Sequence, residues 1–176
     1  MIEVFTAHTA ELDGAQPAAV RSLLADVFGE FSDEDWEHTL GGVHALARED
    51  GELIGHAAVV QRRLLHDGRA LRAGYVEGVG VRADRQGRGH GAALMAALET
   101  AIVRAYDLGA LCAADEAADF YAARGWQCWR GPLSALTPAG LRPTPEEDGA
   151  VFVLPGAAPL DLAGALACDW RDGDLW

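Results

Sequence analysis

The most constraining feature of the sequence is a glycine-rich hinge between a strand-like run and a helix-like run, VRADRQGRGHGAALMAALET at residues 81–100. Gly87, Gly89 and Gly91 alternate there with polar residues, although glycine weakens an ordinary helix start. The first N–H groups of a helix lack internal partners, and the helix dipole adds partial positive charge at that end. Glycine has no β-carbon to keep an anion away from the backbone. The hinge therefore predicts a phosphate site.

Basic side chains surround these glycines and could contact the same anion, namely Arg85, Arg88 and His90. The hinge lacks the Gly-Lys-Ser/Thr element of a P-loop, and its G-R-G-H-G run does not fit G-x-G-x-x-G. The other interpretation is a glycine-rich turn with solvated arginines.

Length, charge and cysteine content limit what the chain can be. The 176 residues predict a single domain over residues 1–176, and the 50% apolar content is enough for a core. A formal charge of −13 argues against a nucleic-acid partner and favours a cationic partner, or simply good solubility. No stretch approaches a membrane span, and no signal peptide is evident. Three cysteines without metal-ligand spacing predict reduced thiols in a cytoplasmic protein.

Periodicity and turn residues predict the element order β, α, α, a run of three strands, α, β, α, β. Turn signals at 49–51 (EDG) and 66–68 (HDG) separate the three strands, which are predicted to form an antiparallel meander. The predicted helices are 17–28, a capped helix from Ser32 that ends at Gly41-Gly42, 89–106 closed by Gly109, and one capped by Asp115. The predicted strands are 2–7, Val43–Arg48, Ile54–Gln61, Leu71–Arg82, Ala110–Ala113, one within RGWQCWRG and Val151–Leu154; residues 131–149 are predicted to form a loop. This order indicates an α+β or mixed α/β domain with one open sheet.

The hinge resembles the acetyl-CoA loop, (Q/R)-x-x-G-x-(G/A), of the GNAT acetyltransferases, with Gln86, Gly89 and Gly91 at the matching positions. The rest of the chain is similar to the aminoglycoside 2′-N-acetyltransferases of that superfamily. The similar segments are DWEHTLGG (35–42), HAAVVQRR (56–63), AGYVEGVGVRAD (73–84), AYDLGAL (105–111), FYAARGW (120–126), VFVLP (151–155) and CDWRDGDLW (168–176). The resemblance implies a GNAT-like fold, with a single open mixed, mostly antiparallel sheet flanked by helices.

The resemblance also implies acetyl-CoA as the acetyl donor, with no metal. In GNAT proteins the loop amides hold the pyrophosphate of CoA, and the strand before the loop binds the thioester and pantetheine. The implied acetyl-CoA-binding residues are Val79, Gly80, Val81, Gln86, Gly87, Arg88, Gly89, His90 and Gly91. One amide at Val79 or Val81 could stabilise the oxyanion of a tetrahedral intermediate.

Two residues are candidates for the chemistry of acetyl transfer to an amine, which needs a base for the amine and an acid for the departing thiolate. Glu77 lies in the apolar run GYVEGVG beside Gly78 and Gly80, where strand glycines suggest a bulge or close backbone approach. It is the base candidate, and the resemblance implies that it acts from the substrate cleft, through a water; the alternative is a structural ion pair or a strand-edge charge. Tyr121 is the acid candidate, and the alternative is a core aromatic beside Phe120.

An aminoglycoside carries several amines, so several carboxylates should converge on it. The resemblance implies acceptor-binding roles for Glu30, Asp35, Glu77, Gly78, Cys112, Glu146, Glu147 and the carboxylate of Trp176. Several of them have a simpler interpretation: a capping box at Asp35, a solvated turn at 146–148, or a frayed tail ending at Trp176. Glu30 and Glu147 depart from the aspartates usual in the family, and Cys112 departs from a serine, which affects drug preference rather than the reaction class.

The resemblance implies an acetyl-CoA-dependent aminoglycoside 2′-N-acetyltransferase that works by direct transfer in a ternary complex, and it implies aminoglycoside resistance. The resemblance further implies a homodimer, to which residues 131–170 could contribute. Two alternatives stay open: an N-acetyltransferase for a polyamine, a peptide N-terminus or a cell-wall amino sugar, and a non-catalytic module that binds acyl-CoA or the drug.

Overall fold

The computed structural model describes residues 2–176. Its strands and α-helices follow one another in the order β1 Ile2–His8, α1 Gln16–Phe28, α2 Asp33–His38, β2 Val43–Glu49, β3 Glu52–His66, β4 Arg69–Val81, α3 His90–Ala105, β5 Leu108–Cys112, α4 Ala118–Ala122, β6 Gln127–Cys128, β7 Leu133–Thr137, β8 Gly140–Pro143, β9 Val151–Pro155 and β10 Leu166–Cys168. The chain forms two compact units. The first comprises the chain up to Val60 with Val76–Ala101, and the second comprises Gln61–Tyr75 with Ile102–Trp176.

The first unit contains the predicted antiparallel meander. Strand β1 pairs with β2 and β2 pairs with β3, both antiparallel, and β3 neighbours β4. Both connecting turns are Asp-Gly pairs with positive φ at each residue, 51° and 86° at Asp50-Gly51 and 49° and 73° at Asp67-Gly68. Positive φ at both central residues defines the type I′ turn, whose twist matches that of antiparallel strands. The Asp67-Gly68 turn joins the parts of β3 and β4 that belong to the second unit.

Helix α1 buries the apolar face that its periodicity predicts. Val20, Leu23 and Leu24 form a core cluster with Leu46 of β2. Pro17 lies in the first turn of the helix, where a missing N–H costs nothing. Helix α2 begins after Ser32, and the expected capping box is present: Asp35 N–H donates to Ser32 Oγ and Ser32 N–H donates to the Asp35 carboxylate.

The second unit has the strand order β6-β9-β5-β4-β3-β10-β7-β8. The pairs β4–β5 and β10–β7 are parallel, and β5–β9, β6–β9, β10–β3 and β7–β8 are antiparallel. Trp126 and Trp129 are among its largest buried side chains. The predicted fold class, α+β with a mixed and mostly antiparallel sheet, is therefore confirmed.

Several predicted element bounds are wrong. Residues 131–149 are not a loop, since β7, β8 and a short 3₁₀ turn at Pro145–Glu147 lie there, and strand β10 was not predicted. Gly109 lies inside β5 rather than closing α3, and Asp115 begins a 3₁₀ turn rather than capping α4. Helix α2 ends at His38, before Gly41. Strands β5 and β10 depend on pairing with residues far away in the chain, which local patterns do not report.

Within residues 2–176, every helix is too short or too polar to cross a membrane. The three cysteines are free thiols in the structure, with Cys112 exposed and Cys168 buried.

Candidate active site

The glycine hinge leads directly into α3. Gly87 and Gly89 have φ of +73° and +84°, a backbone conformation that L side chains rarely adopt. A β-carbon built on either residue would meet no atom within 4 Å, so it would project into open space beside the backbone. Both glycines are exposed. The hinge therefore leaves room for a ligand against its backbone.

The first turn of α3 supplies unsatisfied donors at the same place. Its first intrahelical bond runs from Ala93 N–H to Gly89 C=O at 3.0 Å, so the amides of residues 90–92 precede the hydrogen-bonded ladder. His90 is buried, and its Nε2 has no hydrogen-bond partner among residues 2–176. A buried nitrogen of this kind is costly unless a ligand satisfies it. The hinge thus fits an anion such as the pyrophosphate of CoA.

The arginines near the hinge differ in their availability. Arg85 pairs with Glu49 and Asp84, and Arg82 pairs with Asp84 at 2.8 Å. The hydrogen bond from Arg82 lowers the pKa of Asp84 to about 2. Arg88, in contrast, is exposed in the hinge itself. The Gln86 side-chain amide donates to Val81 C=O at 3.0 Å, so it braces the hinge against the end of β4.

The stretch around Glu77 in β4 departs from regular strand geometry. Glu77 is half-buried, and the next residue, Gly78, has φ of +56°. A β-carbon on Gly78 would lie 3.0 Å from the Thr39 methyl and 3.2 Å from Leu24. Gly80 is equally enclosed, 3.2 Å from Leu24. The predicted close backbone approach is therefore present, and α1 and the end of α2 pack directly on this part of the strand.

Two fully buried histidines, which sequence reasoning missed, lie beside Gly78. His44 Nδ1 is 2.9 Å from His56 Nε2, and His56 Nδ1 is 2.8 Å from Gly78 C=O. Burial lowers the pKa of His44 to about 4, helped by the nearby charge of His8, and lowers the pKa of His56 to about 3. The one signal available was the position of each histidine within an apolar strand run, which is unusual for a polar ring.

Because both histidines are buried in their neutral form, we expect the protein to lose stability in mild acid. From about pH 6.5, the ordinary histidine pKa, down to the lowered folded values of about 4 and 3, the unfolded chain binds protons that the folded chain does not. The free energy of unfolding should therefore fall with pH in this window, by at most about 1.4 kcal/mol per pH unit for each histidine, and above it the pair adds no pH dependence.

Urea denaturation in steps from about pH 7.5 to about pH 4.5 measures this slope. The same series on His56→Leu should give a shallower slope, because one of the two titrating groups is gone. Equal slopes in the two proteins would contradict the assignment of the acid sensitivity to this pair.

Tyr121 lies in α4, in the second unit, within an aromatic cluster. Its ring centroid is 5.1 Å from that of Phe120, 6.1 Å from Trp126 and 6.5 Å from Phe152. Burial raises the pKa of its hydroxyl to about 12. Tyr121 is therefore a core aromatic whose hydroxyl keeps its proton across the neutral range, so it can donate a hydrogen bond.

The second unit brings three of the predicted acceptor-binding residues together. Cys112, at the end of β5, donates from Sγ to Glu147 Oε2 at 3.4 Å. Glu147 belongs to the 3₁₀ turn that begins after Thr144. Trp176 is buried, and its indole N–H donates to Thr144 Oγ1 at 2.9 Å. The frayed-tail interpretation is therefore wrong for Trp176, which packs beside the turn that carries Glu147.

Arginines hold the same segment of chain in place. The Arg171 guanidinium donates to the main-chain oxygens of Asp174 and Trp176, at 2.6 and 3.0 Å. Arg62 donates to the Asp169 carboxylate at 2.8 Å. The Trp176 oxygen thus has a cation beside it, which would moderate its attraction for a cationic ligand.

The other acceptor-binding candidates are less closely grouped. Glu30 is exposed just after α1, and Asp35 uses one carboxylate oxygen in the capping box of α2. These two belong to the first unit with Glu77. Glu146 is exposed and pairs with Arg142 at 3.5 Å, as expected for a solvated turn. Within residues 2–176, no group of three histidine, cysteine or acidic side chains is arranged to hold a metal.

Comparison with known proteins identifies the family. A family model described as an acetyltransferase (GNAT) domain matches residues 14–129. The aminoglycoside 2′-N-acetyltransferase of Mycolicibacterium fortuitum is 51% identical in an alignment of 174 residues that covers 96% of this chain and 89% of that protein.

Solved structures agree on the fold. The GNAT family N-acetyltransferase YhbS of Escherichia coli, solved in complex with CoA, has a TM-score of 0.61 at 15% identity and covers 98% of this chain and 89% of its own. Escherichia coli ElaA has a TM-score of 0.60 at 18% identity, over 88% of this chain and 99% of its own. Eis1 of Mycobacterium abscessus has a TM-score of 0.62 at 21% identity over 76% of this chain, which spans only 33% of Eis1. The predicted resemblance is confirmed: the chain belongs to the GNAT acetyltransferases, in the same family as the aminoglycoside 2′-N-acetyltransferase of Mycolicibacterium fortuitum.

Proposed function

We propose that the protein transfers the acetyl group of acetyl-CoA to the 2′-amine of aminoglycosides, and that it thereby confers resistance to these drugs. The observation that carries the proposal is the 51% identity, over 96% of the chain, to a protein with that activity. The charge of −13 supports a polycationic acceptor. The hinge before α3 supports a phosphate-bearing donor, because its glycines leave space for an anion and the first amides of α3 can donate hydrogen bonds to it.

The proposed reaction is direct transfer in a ternary complex. The 2′-amine, after losing a proton to Glu77 through a water, attacks the thioester carbonyl carbon and forms the new C–N bond. The carbonyl oxygen becomes negative and accepts a hydrogen bond from a main-chain amide at Val79 or Val81. The C–S bond then breaks as the nitrogen gives up its second proton. The leaving thiolate accepts a hydrogen bond from Tyr121 and takes up, through water, the proton that the nitrogen has lost.

We assign donor binding to the hinge and to the end of β4, as the resemblance implies. Gly87, Gly89 and the first amides of α3 would hold the pyrophosphate, with Arg88 and His90 as side-chain donors. Glu30, Asp35, Glu77 and Glu147 would bind the amines of the acceptor. Because Glu146 already has Arg142 as an ion-pair partner, its share in acceptor binding should be the smallest.

Substitution of Gly89 by alanine should weaken acetyl-CoA binding specifically. The new methyl would occupy the open space beside the hinge backbone. The positive φ at residue 89 adds backbone strain of about 1–3 kcal/mol when the residue is alanine. We expect the KM for acetyl-CoA to rise by about tenfold or more, and the KM for the acceptor to change little. Gly68→Ala is the matched control, because Gly68 also has positive φ, +73°, and open space around it, but lies in the β3–β4 turn. Equal effects of the two substitutions on the acetyl-CoA KM would contradict donor binding at the hinge.

The decisive test of the proposed acceptor is a pair of aminoglycosides matched except for an amine or a hydroxyl at the 2′ carbon. The protein should acetylate the first and leave the second unmodified, and mass spectrometry of the product should show one acetyl group at the 2′ nitrogen. Rapid acetylation of a polyamine, a peptide N-terminus or a cell-wall amino sugar, with no turnover of either drug, would replace the acceptor in the proposal. Binding of acetyl-CoA without transfer to any amine would favour a non-catalytic module.

Four predictions stay untested. They are a homodimer, a cytoplasmic location, the absence of nucleic-acid, membrane and metal partners, and a single functional domain over residues 1–176. Sedimentation of the purified protein tests the first of them.

A further inference from the structure

A continuous hydrogen-bond chain crosses the interior of the first unit and ends on the backbone next to Glu77. Gly41 N–H donates to Thr9 Oγ1 at 2.9 Å, and Thr9 Oγ1 lies 2.8 Å from His44 Nε2. The chain continues from His44 Nδ1 to His56 Nε2 at 2.9 Å. It ends where His56 Nδ1 lies 2.8 Å from the carbonyl oxygen of Gly78.

The carbonyl at the end determines the direction of every bond in the chain. A carbonyl oxygen only accepts, so His56 must donate from Nδ1, and in its neutral form its Nε2 then accepts from His44 Nδ1–H. His44 Nε2 accepts in turn from the Thr9 hydroxyl, whose other acceptor, Gly42 C=O, is farther away at 3.4 Å. Both rings are therefore in the Nδ1–H tautomer. Both are fully buried, and their lowered pKa values keep them neutral at pH 7.

The bond from His56 also sets the orientation of the peptide between Gly78 and Val79. Among residues 2–176 there is no cis peptide bond, and a trans peptide places its C=O and its N–H on opposite sides. With the Gly78 oxygen held against His56, the Val79 N–H must point the opposite way. Gly78 has φ of +56°, and in glycine the backbone meets little steric resistance to rotation. A peptide beside such a residue needs an external restraint, which the histidine chain supplies.

We propose that His44 and His56 are positioning residues for acetyl transfer. Their hydrogen-bond chain holds the Gly78–Val79 peptide so that Val79 N–H points away from His56 and donates to the thioester oxygen as that oxygen becomes negative. The inference rests on the proposed function only in requiring that the chain transfers acetyl from acetyl-CoA, and it holds for any amine acceptor. It assigns a role in the reaction to a buried pair that does not touch the substrates.

Nuclear magnetic resonance of the full chain tests the geometry without any substitution. Long-range proton–nitrogen spectra should show both His44 and His56 in the Nδ1–H tautomer at neutral pH. The chemical shift of the Val79 amide nitrogen depends on the hydrogen bond that the Gly78 carbonyl of the same peptide accepts from His56. This shift should therefore change in His56→Leu. An Nε2–H tautomer at His56, or an unmoved Val79 shift in the variant, would overturn the proposal.

Kinetics of two substitutions at one position separate positioning from simple stabilisation. His56→Leu removes the donor, and kcat should fall by about tenfold or more while both KM values change by less than about threefold, since a misaimed oxyanion donor affects the transition state more than binding. His56→Asn places Nδ2–H where Nδ1–H was, and should recover most of that loss. His44→Leu, which leaves the terminal donor in place, should cause a smaller loss than His56→Leu.

His66 provides the matched control, since it is also buried and also donates from Nδ1 to a main-chain carbonyl, that of Ala165, at 2.9 Å. His66→Leu should lower the free energy of unfolding and leave kcat unchanged. If His56→Asn and His56→Leu lose kcat equally, or if His66→Leu loses as much, the pair is only structural and the proposal is wrong. If aminoglycosides are not acetylated but another amine is, with the same pattern across these variants, the proposed acceptor fails and the positioning role stands.

Discussion

Substitution of Glu77 by glutamine should lower kcat with an aminoglycoside by about 10²–10⁴-fold, the usual contribution of a general base. Glutamine keeps the length of the side chain but cannot take a proton. The half-buried position of Glu77, next to the enclosed Gly78, makes an isosteric change the least disruptive one. The KM for acetyl-CoA should stay within about twofold, because the hinge that is assigned to the donor is untouched. Steady-state kinetics with each substrate varied in turn measures both quantities.

The pH dependence of this variant gives a sharper test. Without a base, only the small fraction of acceptor that is already unprotonated can react. The rate of Glu77→Gln should therefore rise by about tenfold per pH unit until the pH reaches the pKa of the amine, and its deficit should shrink as the pH rises. Glu3→Gln, an exposed substitution on β1, is the control for a simple loss of one negative charge. A constant deficit at all pH values, or an equal deficit in Glu3→Gln, would rule out a base role for Glu77.

Substitution of Tyr121 by phenylalanine should lower kcat by about 10–100-fold. Burial raises the pKa of Tyr121 to about 12, whereas an ordinary thiol has a pKa of about 8.5. Full proton transfer from this hydroxyl to the thiolate is therefore uphill, and its role is better described as a hydrogen bond to the developing charge. Hydrogen bonds to charged groups contribute about 1.5–3 kcal/mol, which corresponds to the expected loss.

The raised pKa of Tyr121 also has a consequence for the pH profile of kcat in the unmodified protein. Since the Tyr121 hydroxyl stays protonated up to about pH 12, its ionisation should produce no fall in kcat in the alkaline range used for assays. Tyr106→Phe is the matched control, because Tyr106 is also partly buried, and burial also raises its pKa, but it packs over Gly74 at the end of α3. Equal activity of Tyr121→Phe and Tyr106→Phe would leave Tyr121 as a core aromatic only.

The features that sequence reasoning predicted correctly are those with local causes. The capping box at Ser32 and Asp35 depends on residues three positions apart, and the two Asp-Gly turns depend on neighbouring residues. The hinge and α3 follow from one continuous stretch of glycines and apolar periodicity. The family resemblance supplied the candidate residues for the rest of the site.

The features that it missed depend on distant contacts. Gly109 looks like a helix terminator, but in the structure it is a strand residue whose missing β-carbon makes room for Trp126 and Ile102, at 2.9 and 3.1 Å from where that carbon would lie. Strand β10 has only three residues, and it forms because β3 and β7 pair with it on either side. Short segments of this kind carry too little periodicity to be recognised alone.

The same distinction between local and distant causes applies to the candidate site. The sequence by itself determined the fold class, and it predicted an anion site at the hinge and the residue types that acetyl transfer needs, because glycine spacing and motif order can be read from consecutive residues. Only the tertiary structure decided that Trp176 packs against Thr144, that Cys112 meets Glu147, and that His44 and His56 form a neutral chain to the Gly78 carbonyl. Those contacts join residues brought together by strand pairing and by burial, and burial is also what lowers the pKa of both histidines.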